Sequence, residues 1–533
     1  MPTDCIPFRE TNYFSSLICD YLDEKSELKS FYNRFPKLEN FKDQIAEKKE
    51  SFNSETRAIL VQSLKKQYGS VTISETTLQH VEALSDRNTF TITTGHQLNL
   101  FTGPLYFFYK IVSTINLCKE LKAAYPEQHF VPIYWMATED HDFEEINYFN
   151  FRGQKVQWNR EASGAVGELQ LDGLDQVFEV FASQLNSTTN AQELKELFQN
   201  AYLEHQNLTD AMRYLVNTLF GSYGLVIVDG NDSDLKRLFV PYIKRELVDQ
   251  TSFEMVSQAN EKLNDLDGNY KIQVNPRAIN LFYINKGVRE RIIETEDQYQ
   301  VLNTDINWSK DELLEHLDDS PERFSPNVIL RPLYQEVILP NLCYIGGGGE
   351  LAYWLQLRSN FEKYDIVFPM LLLRNSVLLF TDKQKDKLEK LNISVKDLFL
   401  TQHDLKTKVT EQISEVDINF SSQKAHLKQQ FEELYKLSEQ TDKSFKGAVA
   451  AQERKQIKGL EHLEKRLLKA QKRKLRDYLD RIAEIQDILF PSQSLQERNM
   501  NFSEFYLEHG SSLIQKLIQE LKPLKGEFLV LTI

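Results

Sequence analysis

Thr94-Gly95-His96-Gln97-Leu98-Asn99-Leu100-Phe101-Thr102-Gly103-Pro104 follows the apolar run Phe90 to Thr93 and leads into a long amphipathic segment. The run Phe90–Thr94 reads as a buried strand. Pro104 suits the first turn of a helix, where its missing N–H leaves no bond unmade. Leu105, Phe108, Val112 and Ile115 recur at intervals of three and four, so that helix is expected to carry one apolar face. His129–Ala137, with Val131, Ile133, Tyr134 and Trp135, reads as the next strand. Strand, helix, strand at this spacing is a βαβ unit, which almost always crosses over right-handed. Glu139-Asp140-His141-Asp142 closes the second strand as Gly95-His96-Gln97 closes the first. Two strands ending in reactive side chains point to an active site at the carboxyl edge of a parallel sheet.

Further strands are expected at Leu225–Val228, ending in Asp229-Gly230, and at Ile366–Leu372. The chain up to residue 85 reads as helices, because Leu38, Phe41 and Ile45, then Ile59, Leu60 and Leu64, recur at helical spacing among charges. Residues 151–182, rich in glycine and polar side chains, fit the sheet poorly and read as a small insertion. Residues 267–324 mix turns with short alternating runs such as Ala278–Ile284 and read as a second one. From Lys383 onward glycine is rare and helix formers dominate. Leu468, Leu475, Ile482 and Leu489 recur every seven residues with Tyr478 and Ile485 between them; Phe420, Leu427 and Leu434 do the same around Phe431. Two heptad segments joined near Gln440–Ser444 predict an antiparallel coiled-coil hairpin, its seam imperfect where Gln471 and Lys424 fall on it. Phe490-Pro491 ends the long helix, and the tail finishes in the strand-like Phe528–Ile533. The expected fold class is α/β. A parallel-sheet core with N-terminal helices and two insertions spans 1–382, an α-helical coiled-coil domain spans 383–498, and a segment over 499–533 returns to the core.

The 533 residues are 41% hydrophobic and 26% charged, with 33 Phe and 23 Tyr, enough to build a sizeable core. A formal net charge of -15 argues against a general nucleic-acid binder. Cys5, Cys19, Cys118 and Cys343 show no paired spacing, so neither a disulfide framework nor a zinc ribbon is expected, and a reducing cytoplasm fits best. Met-Pro-Thr-Asp-Cys does not begin a signal peptide, and apolar runs such as Ile366–Leu373 are too short to span a bilayer. The reading is a soluble cytoplasmic protein without membrane or nucleic-acid partners.

Three clusters could carry chemistry. Around Gly95-His96-Gln97, Asn99 and Thr102-Gly103, side chains and a helix N-terminus could hold an anion while His96 donates or moves a proton. The alternative is that the glycines merely permit turns and His96 caps a helix. Glu139-Asp140-His141-Asp142 crowds charge at a strand end, as a metal, an ammonium substrate or a base would require, although a solvated acidic loop is the simpler reading. No Cys or His-x-x-x-His spacing marks a zinc site there. Tyr344-Ile345-Gly346-Gly347-Gly348-Gly349-Glu350 would let the backbone approach an anion, or serve only as a hinge before a helix; it is neither a Walker A loop nor a dinucleotide fingerprint. Arg331, just before it, could pair with a ligand carboxylate. Finally, residues 451–476 carry ten Lys and Arg against three Glu. That is usually a solvated helix face. The other reading is a phosphate-binding surface made by Lys472, Arg473 and Lys474 with Arg498 and Asn501.

Taken together, these stretches resemble one known family. Thr94–Gln97 with Leu100–Tyr106, Trp135-Met136-Ala137-Thr138-Glu139-Asp140-His141-Asp142-Phe143, the Tyr344–Glu350 glycine run and Leu495-Gln496-Glu497-Arg498 are similar, in this order, to the cysteine-adding enzymes of bacillithiol biosynthesis. One departure is His96, where members of that family often carry glutamine, and this shifts acid–base weight to His141. The resemblance implies a Rossmann-like core with connecting insertions and a coiled coil that pairs subunits into a homodimer. It implies a ligase that joins the carboxyl of L-cysteine to the amine of glucosaminyl-malate, with ATP activation of cysteine suggested by analogy and no metal expected. Catalytic roles would fall to His96, Asp140, His141 and Asp142. Substrate binding would fall to Gln97, Asn99, Thr102, Gly103, Glu139, Arg331, Tyr344, Gly346, Gly347, Gly348, Gly349 and Glu350. Two other classes stay open from the residues alone: a metal-dependent hydrolase or nucleotidyltransferase built on Asp140, His141 and Asp142, and a non-enzymatic coiled-coil scaffold.

Overall fold

The computed structural model describes residues 4–69, 71–295, 298–441 and 443–533. Its centre is a sheet of five parallel strands: β1 (Thr89–His96), β2 (His129–Met136), β3 (Val226–Asp229), β4 (Asn341–Gly346) and β5 (Met370–Leu373), in the order β5-β4-β1-β2-β3. The chain runs outward from β1 through β2 to β3, then returns to lay β4 on the other side of β1. The order therefore reverses between β1 and β4, and the crevice beyond their carboxyl ends is where such sheets bind ligands. This is the Rossmann-like arrangement that the resemblance implied.

β1 is buried at every residue, although four of its eight side chains are threonines. Three of the four hydroxyls are satisfied across the sheet: Thr91 and Thr93 donate to Asn341 Oδ1 at 3.3 and 2.9 Å, and Thr94 donates to the Ile345 carbonyl at 2.7 Å. Asn341 donates in turn to Glu336 at 2.6 Å, whose carboxylate pairs with the buried Lys48 at 3.1 Å. Phe90, Ile92, Leu342, Ile345 and Leu372 supply the apolar face and pack with Phe41 and Ile45 from the N-terminal helix Phe41–Ser51.

Two expectations need correction. The strand expected from Ile366 is shorter; it begins at Met370, directly after Pro369. The helix after the opening motif, α1 (Tyr106–Ala124), starts two residues after Pro104 and has no exposed face over Phe107 to Cys118, which are all buried. The sheet covers one side of it. The C-terminal helix Ser512–Glu520 covers another, and Asn116 donates to the carbonyls of Ile518 and Leu521 at 2.9 and 2.8 Å.

The first insertion contains the hairpin Tyr148–Phe151/Gln154–Gln157 and the helix Leu174–Ser183. The second is a five-stranded antiparallel sheet, Asn307–Trp308, Tyr299–Val301, Val288–Glu294, Leu281–Asn285 and Phe324–Pro326 in that spatial order. The core continues through α2 (Gly348–Leu355), which follows the glycine run.

A second compact unit comprises Glu10–Asn12, Leu379–Leu495 and Thr532–Ile533. Its long helices are α3 (Gln402–Ile413), α4 (Ser421–Ser438), α5 (Lys443–Lys474) and α6 (Arg476–Leu489). α4 and α5 form the expected antiparallel hairpin, with Lys424 paired to Glu464 at 2.7 Å near one end and Tyr435 donating to Glu453 at 2.7 Å further along. Position 442 of the connection lies outside the described residues. The register differs from the heptad reading. Phe431 and Ser438 are buried with Lys424, Leu427 and Tyr435 half-buried, whereas Leu434 is 40% exposed. The seam thus steps to Tyr435, whose hydroxyl reaches a carboxylate that leucine could not. The later heptad is also interrupted, since Leu475 sits between α5 and α6.

The C-terminal return to the core unit carries α7 (Phe502–His509). Burial pushes its Glu504 up to about 7, against the opposing pull of Arg152. Between the unfolded value near 4.3 and about 7, the folded protein holds a proton that the unfolded chain has lost, so stability falls as pH rises through that window. Glu504→Gln should gain about 1–3 kcal/mol over the parent at pH 8 and nothing at pH 4. Identical chemical-denaturation midpoints at pH 8 would remove this assignment.

Candidate active site

The crevice at the β1/β4 switch is a cavity of about 690 Å³. Gly95, His96 and Gln97 line it from β1, Trp135 to His141 from β2, and Gly347 to Glu350 from the start of α2. The absence of a side chain at Gly95 matters, because a Cβ there would lie 3.2 Å from the Tyr344 hydroxyl.

One wall is acidic. Asp140 Oδ2 accepts from Gln97 Nε2 at 2.9 Å, and Oδ1 accepts from the His141 backbone N–H at 2.8 Å. Burial alone would raise this carboxyl; hydrogen bonds from Gln97 and the His141 backbone N–H, with the Arg289 charge, outweigh it and hold Asp140 well below the usual carboxylate range. Glu139 is paired with Lys236, which is fully buried and also donates to the Phe324 carbonyl at 2.6 Å. Burial lowers Lys236 while Glu139 opposes it. Thr138 donates to Asp229 at 2.5 Å, and burial raises that carboxyl.

The opposite wall is basic. Lys110 from α1 donates to the Gly95 carbonyl at 2.7 Å and pairs with Glu350 at 2.6 Å. Glu350 also accepts from Tyr344 at 2.7 Å and from Gly347 N–H at 2.8 Å, so it caps α2 with its own carboxylate. Burial would raise Glu350, yet Lys110 and the Gly347 N–H bring it below its ordinary value. Arg374 donates to Glu497 at 2.7 Å, both nearly inaccessible. Arg331 donates to Gln335 at 3.1 Å, and its Nη2 is buried without a hydrogen-bond partner, as is Arg374 Nε. Arg277, Arg289 and Arg498 complete the lining. Cations outnumber carboxylates here, in a chain whose net charge is negative.

The residues expected from the sequence divide. His96, Gln97, Glu139, Asp140, His141, Arg331, Tyr344, Gly347, Gly348, Gly349, Glu350 and Arg498 line the cavity. Burial, then Lys110, hold the His96 imidazole well below its usual range, so it is neutral. Asp142 is exposed and lies outside the lining. Gly346 also lies outside it, its carbonyl accepting from the Arg374 N–H at 2.9 Å.

Asn99, Thr102 and Gly103 belong to a buried turn behind the site. Phe101, Thr102 and Gly103 have φ of 48°, 67° and 61°, and a Cβ on Gly103 would meet Asn99 at 2.6 Å. Asn501 holds this turn, donating to the carbonyls of Phe101 and Gly103 at 2.9 and 2.6 Å. Its amide is thus committed to the backbone. Lys472, Arg473 and Lys474 lie in the second unit, where Lys472 donates to Thr407 at 2.6 Å and Lys474 pairs with Glu415 at 3.2 Å. Among the described residues no three His, Cys, Asp or Glu side chains converge as metal ligands would, so the metal-dependent alternative finds no ligand set at Asp140, His141 and Asp142.

Sequence reasoning missed Tyr106, Lys110, Arg277, Arg289, Tyr353 and Arg374. Lys110 left a trace as a charge inside an apolar run, and Arg374 as the residue ending another. Arg277 and Arg289 left none, because only the insertion's fold brings them to the crevice.

A switch-point crevice in a parallel sheet, walled by convergent ionisable groups, defines an α/β enzyme. Residues 1–375 match the family model of the bacillithiol biosynthesis BshC N-terminal Rossmann-like domain, and 377–533 that of the BshC C-terminal coiled-coil domain. The chain belongs to the BshC family of bacillithiol biosynthesis, and its enzyme class is ligase. It is 60% identical over 533 residues to a protein of Flavobacterium johnsoniae, covering 100% of both chains. It is 59% identical to one of Christiangramia forsetii, covering 100% of this chain and 99% of the relative, and 37% identical to one of Cytophaga hutchinsonii, covering 97% and 96%. All three relatives bear the name "Putative cysteine ligase BshC". No described helix is long and apolar enough to cross a membrane.

Proposed function

We propose that this enzyme forms an amide between the carboxyl of L-cysteine and the amine of glucosaminyl-malate. The observation that carries the reading is the division of one cavity into an acidic and a basic wall. A substrate with an amine at one end and two carboxylates at the other matches that division. Asp140, ionised and exposed to the cavity beside Gln97, suits the amine. Arg331, with an unsatisfied buried Nη2, and Arg498 suit the malate carboxylates, since guanidinium groups bind carboxylates through paired hydrogen bonds. The relatives' printed name supports cysteine as the other partner.

A free carboxylate does not acylate an amine unaided, and ATP, when bound, would supply the activation. The residues fit such a group to the extent that Arg374 Nε is buried without a partner and the first turn of α2 offers backbone N–H groups without intrahelical acceptors. The protein's own residues hold the two substrates, with His96 and the Lys110–Glu350 pair in the cavity lining.

The test incubates purified protein with glucosaminyl-malate and cysteine, with and without ATP, and follows thiol products by mass spectrometry. Appearance of the cysteinyl amide only with ATP is expected. No amide under either condition would overturn the substrate assignment, and equal yields would overturn the nucleotide. In the same assay, Arg331→Ala should raise KM for glucosaminyl-malate at least tenfold with a smaller change in kcat, because losing one charged hydrogen-bond partner costs about 1.5–3 kcal/mol of binding.

A further inference from the structure

Arg289 reaches the cavity from the insertion strand Val288–Glu294, not from the edge of the parallel sheet. Its guanidinium sits over the Phe282 ring at 4.0 Å, and Nη1 lies 2.5 Å from Nδ1 of His141. A guanidinium has donors only, so Nδ1 must supply the lone pair. A neutral imidazole carries one N–H, which is then on Nε2. The other group facing Nδ1, the Asp140 carboxylate, is 3.6 Å away, and both its oxygens already accept hydrogen bonds, from Gln97 and from the His141 backbone. This inverts the usual carboxylate–histidine pair, in which the acid holds Nδ1–H and leaves Nε2 as a base.

We propose that Arg289 is a positioning residue that locks His141 as its Nε2–H tautomer, so that His141 serves amide formation as a hydrogen-bond donor. The acceptor is the oxygen of the activated cysteine carboxyl that gains negative charge as the amine nitrogen bonds to its carbon. The charge collapses as the bond to the activating group breaks and that group leaves with its electron pair, and the amine proton passes to water. The donor role rests on the amide-forming reading above; the tautomer does not. No bond to hydrogen breaks at His141 in this role, which replaces the base role expected from sequence. A neutral imidazole held as a donor is an established way to polarise a carbonyl. The stack on Phe282 explains why arginine, planar and weakly hydrated, is present and not lysine.

Nitrogen-15 NMR of the full-length protein labelled at histidine, with His141 assigned by its loss in His141→Asn, tests the lock at pH 8. Wild type should show an unprotonated Nδ1 and a protonated Nε2 at His141, and Arg289→Met should show exchange between tautomers. A proton on Nδ1 in wild type, or an unchanged tautomer in Arg289→Met, overturns the proposal. The wild-type spectrum decides the tautomer whether or not the variant folds. In the amide-forming assay, Arg289→Met should lower kcat by roughly tenfold or more with little change in either KM, since a donor to a developing oxyanion contributes about 10²–10³ in rate. A raised KM with unchanged kcat would overturn the donor role. Wild-type protein that makes no amide would refute the functional reading while the spectrum still judged the lock.

Discussion

Glu497→Ala is expected to destabilise the core unit by about 3–5 kcal/mol, the usual result of removing one partner from a buried ion pair. Glu497 is 1% exposed and gathers three donors: Arg374 Nη2 at 2.7 Å, Ser376 Oγ at 3.2 Å and the Val377 N–H at 3.1 Å. Arg374 has nowhere to turn for compensation, since its Nη1 is already committed to the Asn375 carbonyl and Ser376. Truncation would leave a buried guanidinium and a buried N–H unpaired together. Glu497→Gln keeps one acceptor oxygen and should lose less than half as much. The measurement is urea unfolding followed by tryptophan fluorescence, at a pH near 7. An alanine variant within 1 kcal/mol of the parent would show that water compensates the pair, and that Arg374 is not held by it.

That pair also marks the limit of sequence reading. β1, α1 and β2 were legible because their signals are local: β-branched runs, three-and-four spacing, and a proline near a helix start. The position of the crevice was legible for the same reason, since strand ends bearing Gly95-His96-Gln97 and Glu139–His141 can only meet at one edge of a parallel sheet. The basic wall was not. Arg289 is far from His141 in sequence and reaches it through an antiparallel insertion whose alternation reads like any solvated hairpin. Arg374 and Glu497 meet across more than a hundred residues, and neither has a neighbour that predicts the other.

The structure divides the opening motif. Its histidine and glutamine face the cavity, but Asn99, Thr102 and Gly103 serve a turn of three consecutive positive-φ residues. Their conformation depends on Asn501 and on the Tyr202 hydroxyl, which accepts from the Phe101 N–H at 2.8 Å. Such strain persists only where surrounding groups over-determine it. Nothing near Thr102 in sequence announces those groups. The coiled coil shows the same divide on a smaller scale: hairpin and direction followed from heptads, while the seam takes Tyr435, which donates to Glu453 of the opposite helix, in place of Leu434.

Acids two residues apart separate most sharply in the last prediction. Asp140→Asn should lower kcat/KM by about 10²-fold or more, whereas Asp142→Asn should stay within about threefold, although sequence reading gave both a catalytic role. Asp140 loses more than its charge in this change. Both of its oxygens accept, Oδ2 from Gln97 and Oδ1 from the His141 N–H, so an amide NH₂ must face a donor on one side. That conflict adds to the lost attraction for an ammonium, and hydrogen bonds to charged groups contribute about 1.5–3 kcal/mol each. Asp142 is exposed, its side chain makes no capping bond to the short helix Phe143–Ile146, and it does not line the cavity. The depressed Asp140 carboxyl further predicts that its contribution persists from pH 8 down to pH 5, because a lowered folded value keeps it ionised throughout that range. Steady-state kinetics of both variants against parent, at pH 5, 6.5 and 8, reads all of this. Equal losses at positions 140 and 142 would return both carboxylates to a shared role and would require the strand end to rearrange when substrate binds.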